Sequence, residues 1–182
     1  MPEYDIALEL ARLHILKGAD FISQLKKLTG LHIFKPVDGE TDIFAAEGSH
    51  KEDFPSLLDA ARKAVMHGNK VYILPNPRGI RTADFIFESR GIYKMYDLKT
   101  IQGKASVKNR LWESIGQTNH VLLNMTTDYN ARLLAKEIMT YFQVNTNAIE
   151  VLVYKGTKSI IAKRKSVMDK DFVKKFMFAY YK

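Results

Sequence analysis

No cysteine occurs anywhere in the 182-residue chain. Disulfides, cysteine nucleophiles and thiolate zinc sites are excluded together by that absence. Proline is sparse, at five, and no tract of biased composition interrupts the chain, so nothing reads as a low-complexity linker. No apolar run approaches the roughly 20 residues needed to cross a bilayer. The opening Met-Pro-Glu-Tyr-Asp has neither the basic nor the apolar segment of a secretory leader, so the expected site of action is cytoplasmic, with no membrane partner. The patterns G-x-x-x-x-G-K-[ST], G-x-G-x-x-G and H-E-x-x-H are also missing. Nothing therefore suggests a nucleotide cofactor or a zinc hydrolase.

Acid is in short supply relative to base. Twenty Asp and Glu face 28 Lys and Arg, for a net charge of +8. Such a balance favours polyanionic partners, chiefly nucleic acid, through counterion release. The bases also gather, with Lys99, Lys104, Lys108 and Arg110 in one group and Lys155, Lys158, Lys163, Arg164 and Lys165 in another. Hydrophobic content of 46% with 26% charged residues is that of a folded domain able to bury a core.

Periodicity predicts helices over about 3–17 and 20–28, and a strand pair around Asp38-Gly39. A clearer pattern begins near residue 52. Leu57, Leu58, Ala61, Ala64 and Val65 mark a helix with Pro55 in its first turn. Val71–Leu74 is a short strand, followed by a hairpin over about 83–88 and 92–99. A helix over about 106–116 and a strand at 120–125 follow. Thr127 is placed to cap a further helix running to Phe142. Strands at 149–154 and 159–163 and a terminal helix from about 169 complete an α-ββ-α extension. The fold class expected is mixed α/β.

The hairpin carries the chemistry. Asp84 stands on its first strand and Asp97-Leu98-Lys99 closes its second. Alternation along a strand puts Asp97 and Lys99 on one side and Leu98 on the other. Two carboxylates and a lysine on one edge suit a hard divalent cation held against a phosphodiester. Mg²⁺ (or Mn²⁺) prefers oxygen ligands and needs only one or two carboxylates, and the Leu98 carbonyl could add a third oxygen. The alternative for the same residues is an Asp–Lys cross-strand pair on a solvated face, worth only tenths of a kcal/mol.

The αβββαβ order, with Asp84 on its second strand and Asp97-x-Lys99 on its third, resembles the core of the PD-(D/E)XK nuclease superfamily. Ala83 stands where the superfamily name has Pro. The flanks His50-Lys-Glu-Asp53, Lys70–Pro75, Ser106–Arg110 and Gln117–Leu123 are similar to the C-terminal tRNA-nuclease domains of contact-dependent growth inhibition and related polymorphic toxins. That resemblance covers roughly residues 48–125 and implies a restriction-endonuclease-like core at about 50–125, within a nuclease-like domain at 48–182. Residues 1–47 would be an N-terminal helical region packed on it. It implies a metal-dependent tRNase-type nuclease, with tRNA favoured over DNA and an immunity protein as a possible partner. Asp84, Asp97 and Lys99 would be catalytic, and Asp84, Asp97 and Glu52 would hold the metal, with Glu47 and Asp53 competing for the place of Glu52. Lys104, Lys108, Arg110, Gln117 and His50 would contact substrate. Two other functions stay open: a metal-independent RNase using the RNA 2′-hydroxyl, with His50, Lys99 and Thr100 in reach of that role, and a catalytically silent nucleic-acid-binding or assembly protein. Trp112 reads as a core residue rather than a base-stacking one, and the terminal Phe176, Phe178, Tyr180 and Tyr181 as core or oligomer contacts.

Overall fold

The computed structural model describes residues 3–46, 53–76, 82–103, 106–116 and 118–182. The described residues form seven helices and eight strands, a mixed α/β architecture. None of these helices is long and apolar enough to cross a membrane. The chain divides into two compact units, Met1–Tyr96 and Asp97–Lys182.

The first unit holds α1 (Glu3–Arg12), α2 (Gly18–Thr29), β1 (Phe34–Pro36), β2 (Ile43–Ala46), α3 (Phe54–Met66), β3 (Lys70–Ile73), β4 (Phe85–Ser89) and the first half of β5 (Ile92–Ile101). β1 and β2 are antiparallel, β2 and β3 parallel, and β3, β4 and β5 antiparallel in turn. A parallel pair needs a crossover, and α3 supplies it between β2 and β3. The β4–β5 turn is set by Arg90 (φ 52°) and Gly91 (φ 78°), between the paired residues Ser89 and Ile92. Two consecutive positive φ values make the type I′ loop whose twist suits a two-residue hairpin. The Gly91 amide donates to Glu88 Oε1 at 2.8 Å and holds the turn from inside.

Helix α1 stops at Arg12, short of the periodic stretch that runs to Lys17, because Leu13, His14 and Ile15 bond back in tight three-residue turns. Those turns bring Leu13 into a buried cluster with Leu10, Leu25, Leu28, Leu74, Ala83, Ile86 and Met95. Full burial of each leucine is worth about 1.5–3 kcal/mol, which fastens both helices to β3, β4 and β5.

The second unit holds the rest of β5, then α4 (Val107–Glu113), β6 (His120–Met125), α5 (Ala131–Val144), β7 (Glu150–Lys155), β8 (Lys158–Lys163), α6 (Arg164–Val167) and α7 (Phe172–Tyr181). β5, β6 and β7 run parallel, and β8 returns antiparallel on β7. Residues Ile101, Val121, Leu123, Met125, Val151, Val153 and Ala162 on one face pack against buried residues of α4, α5 and α7. From 54 to 125 the element order is helix, strand, strand, strand, helix, strand, as read from the sequence. The C-terminal extension carries the short α6 in addition. Asn130, not Thr127, caps α5, accepting from the Leu133 amide at 2.9 Å. Thr127 instead donates its hydroxyl to the Gly103 carbonyl at 3.3 Å.

Candidate functional site

Asp97 and Lys99 sit two residues apart on β5, so strand alternation sends both side chains to one face. Their charged groups meet, with Lys99 Nζ 3.2 Å from Asp97 Oδ2. Asp97 is only 3% exposed and Lys99 9%. A pair on a solvated face is therefore excluded. In register beside them on β6 stand Val121 and Leu123, both wholly buried within the apolar cluster under the helices.

A polar patch continues above the pair. Tyr141 of α5 is fully buried, and its hydroxyl accepts from Asn145 Nδ2 at 3.2 Å and is hydrogen-bonded with Ser114. Ser114, at the end of α4, also donates to the Leu111 carbonyl at 2.6 Å. Burial holds the Tyr141 phenol above its ordinary pKa, its two hydrogen bonds offset part of that, and the negative charge of Asp97 adds to the rise. The sequence reading missed Tyr141 and Ser114. Tyr141 lies in the apolar stripe of α5, where its spacing matches that of any core residue.

Such a pair does not explain itself by stability. Desolvating two charges costs several kcal/mol, and well-packed apolar residues of similar volume serve as well or better in a core. The buried pair, with Tyr141 and Ser114 beside it, is a candidate site on that ground.

The bond from the Thr126 amide to the Ile101 carbonyl (3.1 Å) fixes which β5 carbonyls face β6. In a parallel ladder these alternate, so those of Asp97, Lys99 and Ile101 point to β6 and that of Leu98 points away from it. Asp84 belongs to the first unit and is half-buried just before β4. Its amide donates to the Tyr96 carbonyl at 3.0 Å and its carbonyl accepts from the Leu74 amide at 2.8 Å. Tyr96 is also the register partner of Phe85. Two residues thus address one, the arrangement of a bulge, and alternation along β4 does not carry over to the Asp84 side chain.

Glu52, His50, Lys104 and Gln117, with Glu47, lie outside the described residues. Among the described residues no group of three or more His, Asp or Glu side chains is placed to hold a metal. The donor chemistry at Asp97 does suit Mg²⁺ or Mn²⁺, since it offers carboxylate oxygens with a backbone carbonyl one residue away. Lys108 and Arg110 are on α4. The Lys108 ammonium lies 5.6 Å from the centre of the Trp112 ring, and Arg110 pairs with Glu113 at 3.1 Å. Trp112 is half-buried against the core, as a packing residue. Phe176 and Tyr180 are buried with it, whereas Phe178 and Tyr181 are exposed.

The second basic group proves to be partly structural. Lys155 stands 4.0 Å from the centre of the Tyr180 ring and 3.8 Å from Asp128. Lys158 donates to the Tyr180 carbonyl at 2.9 Å, near the end of α7. Arg164 donates to the carbonyls of Phe142, Asn145 and Ala148 at 2.9, 2.9 and 3.0 Å. Lys163 and Lys165 are exposed. Comparison with protein-family models, with curated proteins and with solved structures gives no match for this chain.

Proposed function

We propose that this chain is a divalent-metal-dependent nuclease of the tRNase-toxin type. The observation that supports the reading most is the buried Asp97–Lys99 pair, set in the Asp-x-Lys order that phosphodiester chemistry uses. Asp97 would hold the cation; Asp84 and Glu52 join it on their place in the sequence pattern alone. A bound Mg²⁺ or Mn²⁺ supplies Lewis acidity and a more acidic water. The chain's own part is electrostatic. Lys99 would stabilise charge on the phosphoryl oxygens in a site where low solvent exposure strengthens its field. Lys108 and Arg110, exposed or half-exposed on α4, would position the phosphate backbone without reading bases. An acidic immunity protein belongs to the same proposal.

The test is cleavage of purified tRNA, plasmid and single-stranded DNA, each with Mg²⁺ and with EDTA. Cleavage of tRNA that stops in EDTA is the expected result. Cleavage that survives chelation would move the function to attack by the RNA 2′-hydroxyl. Salt-dependent binding without cleavage would leave a silent binding protein. In a binding titration, Lys108→Ala and Arg110→Ala should each flatten the salt slope by about one unit or less, equally across sequences. Unchanged slopes in both variants would remove α4 from the interface.

A further inference from the structure

β8 is a sheet edge: among the described residues it pairs with β7 alone. Two hydrogen bonds show which of its backbone groups face outward. The Glu150 amide donates to the Asn119 carbonyl, on the β6 side, at 3.2 Å. Backbone direction alternates along a strand, so Glu150, Leu152 and Tyr154 address β6 and Val151, Val153 and Lys155 address β8. Their register partners on β8 are Ala162, Ile160 and Lys158. Ser159, Ile161 and Lys163 therefore turn their amides and carbonyls away from β7. The Lys163 amide agrees, since it donates to Ser166 Oγ at 3.1 Å, and the same hydroxyl donates back to the Lys163 carbonyl at 2.8 Å. That leaves Ser159 and Ile161 as the outward-facing rungs. Their side chains are exposed, with Ile161 at 52%.

Charge selects the occupant. Lys163 and Lys165 are exposed at one end of this edge, and the chain as a whole carries +8. A second copy would bring two chains of +8 edge to edge, which repel one another. An acidic strand meets the opposite situation. We propose that the outer edge of β8 accepts an acidic extended segment of another protein as an added strand, bonded through Ser159 and Ile161. Backbone bonds would give the affinity, acidic side chains would lie on the face that Ile161 and Lys163 share, and apolar ones on the face of Ile160. The inference is independent of the nuclease reading.

The edge geometry supplies its own test. Proline is tolerated on a strand where the missing amide faces outward, and it abolishes strand addition there. The probes are capped seven-residue peptides alternating glutamate with valine or lysine with valine, added to the full chain. The glutamate peptide should bind and slow amide exchange at Ser159 and Ile161, and the lysine peptide should not. Ile161→Pro should weaken the glutamate peptide at least tenfold with an unchanged thermal midpoint. If that variant fails to fold, Lys163→Gln decides instead, with an expected loss of several-fold that added salt removes. No binding of the glutamate peptide would overturn the proposal, as would equal binding by the variant that folds. So would concentration-dependent dimerisation through β8, or protection of the same two amides by tRNA but not by peptide.

Discussion

Asp97→Asn alone, and Lys99→Met alone, should each lower stability by about 3–5 kcal/mol, while the double variant Asp97→Asn/Lys99→Met should recover most of that loss. The asymmetry follows from burial. With Asp97 neutralised, the Lys99 ammonium keeps its place in a setting where it is 9% exposed and loses the carboxylate 3.2 Å away. With both charges removed, neither member of this pair is left charged without the other. Urea titrations of the four proteins measure this coupling directly as a double-mutant cycle. The double variant then separates structure from chemistry. If it folds like the parent and cleaves nothing, the pair is functional. If it folds and cleaves tRNA at the parent rate, the nuclease proposal fails at its central residues.

The elements of the chain were largely legible because their signals are local. Glu88-Ser-Arg-Gly91 reads as a turn between two apolar runs, which the structure narrows to Arg90 and Gly91, and alternation alone placed Asp97 and Lys99 on one side. Helix α1 was overread at its end, since the apolar spacing of Leu13 and Leu16 continues past the point where the backbone tightens. Asn130 took the cap from Thr127 because it directly precedes the first helical residue, a choice between two good caps that sequence does not make. Burial of the Asp-x-Lys pair could not be read at all. The same three letters suit a solvated strand, and only the register with Val121 and Leu123 under the helices shows the interior setting. Tyr141 was invisible for a related reason: a phenol in an apolar stripe looks like core until its neighbours are known.

Arg164 should prove a structural cation, and its removal the most destabilising single change in the second basic group. Three carbonyls at the end of α5 and just beyond it, those of Phe142, Asn145 and Ala148, all receive its guanidinium, whose carbon lies 5.3 Å from the centre of the Phe142 ring. A helix end leaves carbonyls without partners, and a planar fork of donors can meet several at once. Bonds from a charged donor contribute about 1.5–3 kcal/mol each when isolated. They share one side chain here, so a combined loss of about 3 kcal/mol is expected for Arg164→Met. At about 2–4 °C per kcal/mol for a chain of this size, the thermal midpoint should fall by roughly 6–12 °C. Arg164→Lys should recover little, because a single ammonium cannot span three acceptors held by three separate residues. Lys163→Ala and Lys165→Ala, both on exposed side chains, should move the midpoint by no more than about a degree or two, within the usual range of surface changes. A scan that found all three variants equally stable would return Arg164 to the surface charge and restore it as a candidate nucleic-acid contact. A large loss for Arg164→Met alone would show that five bases adjacent in sequence serve different ends, and that counting them together overstated the charge available to a ligand.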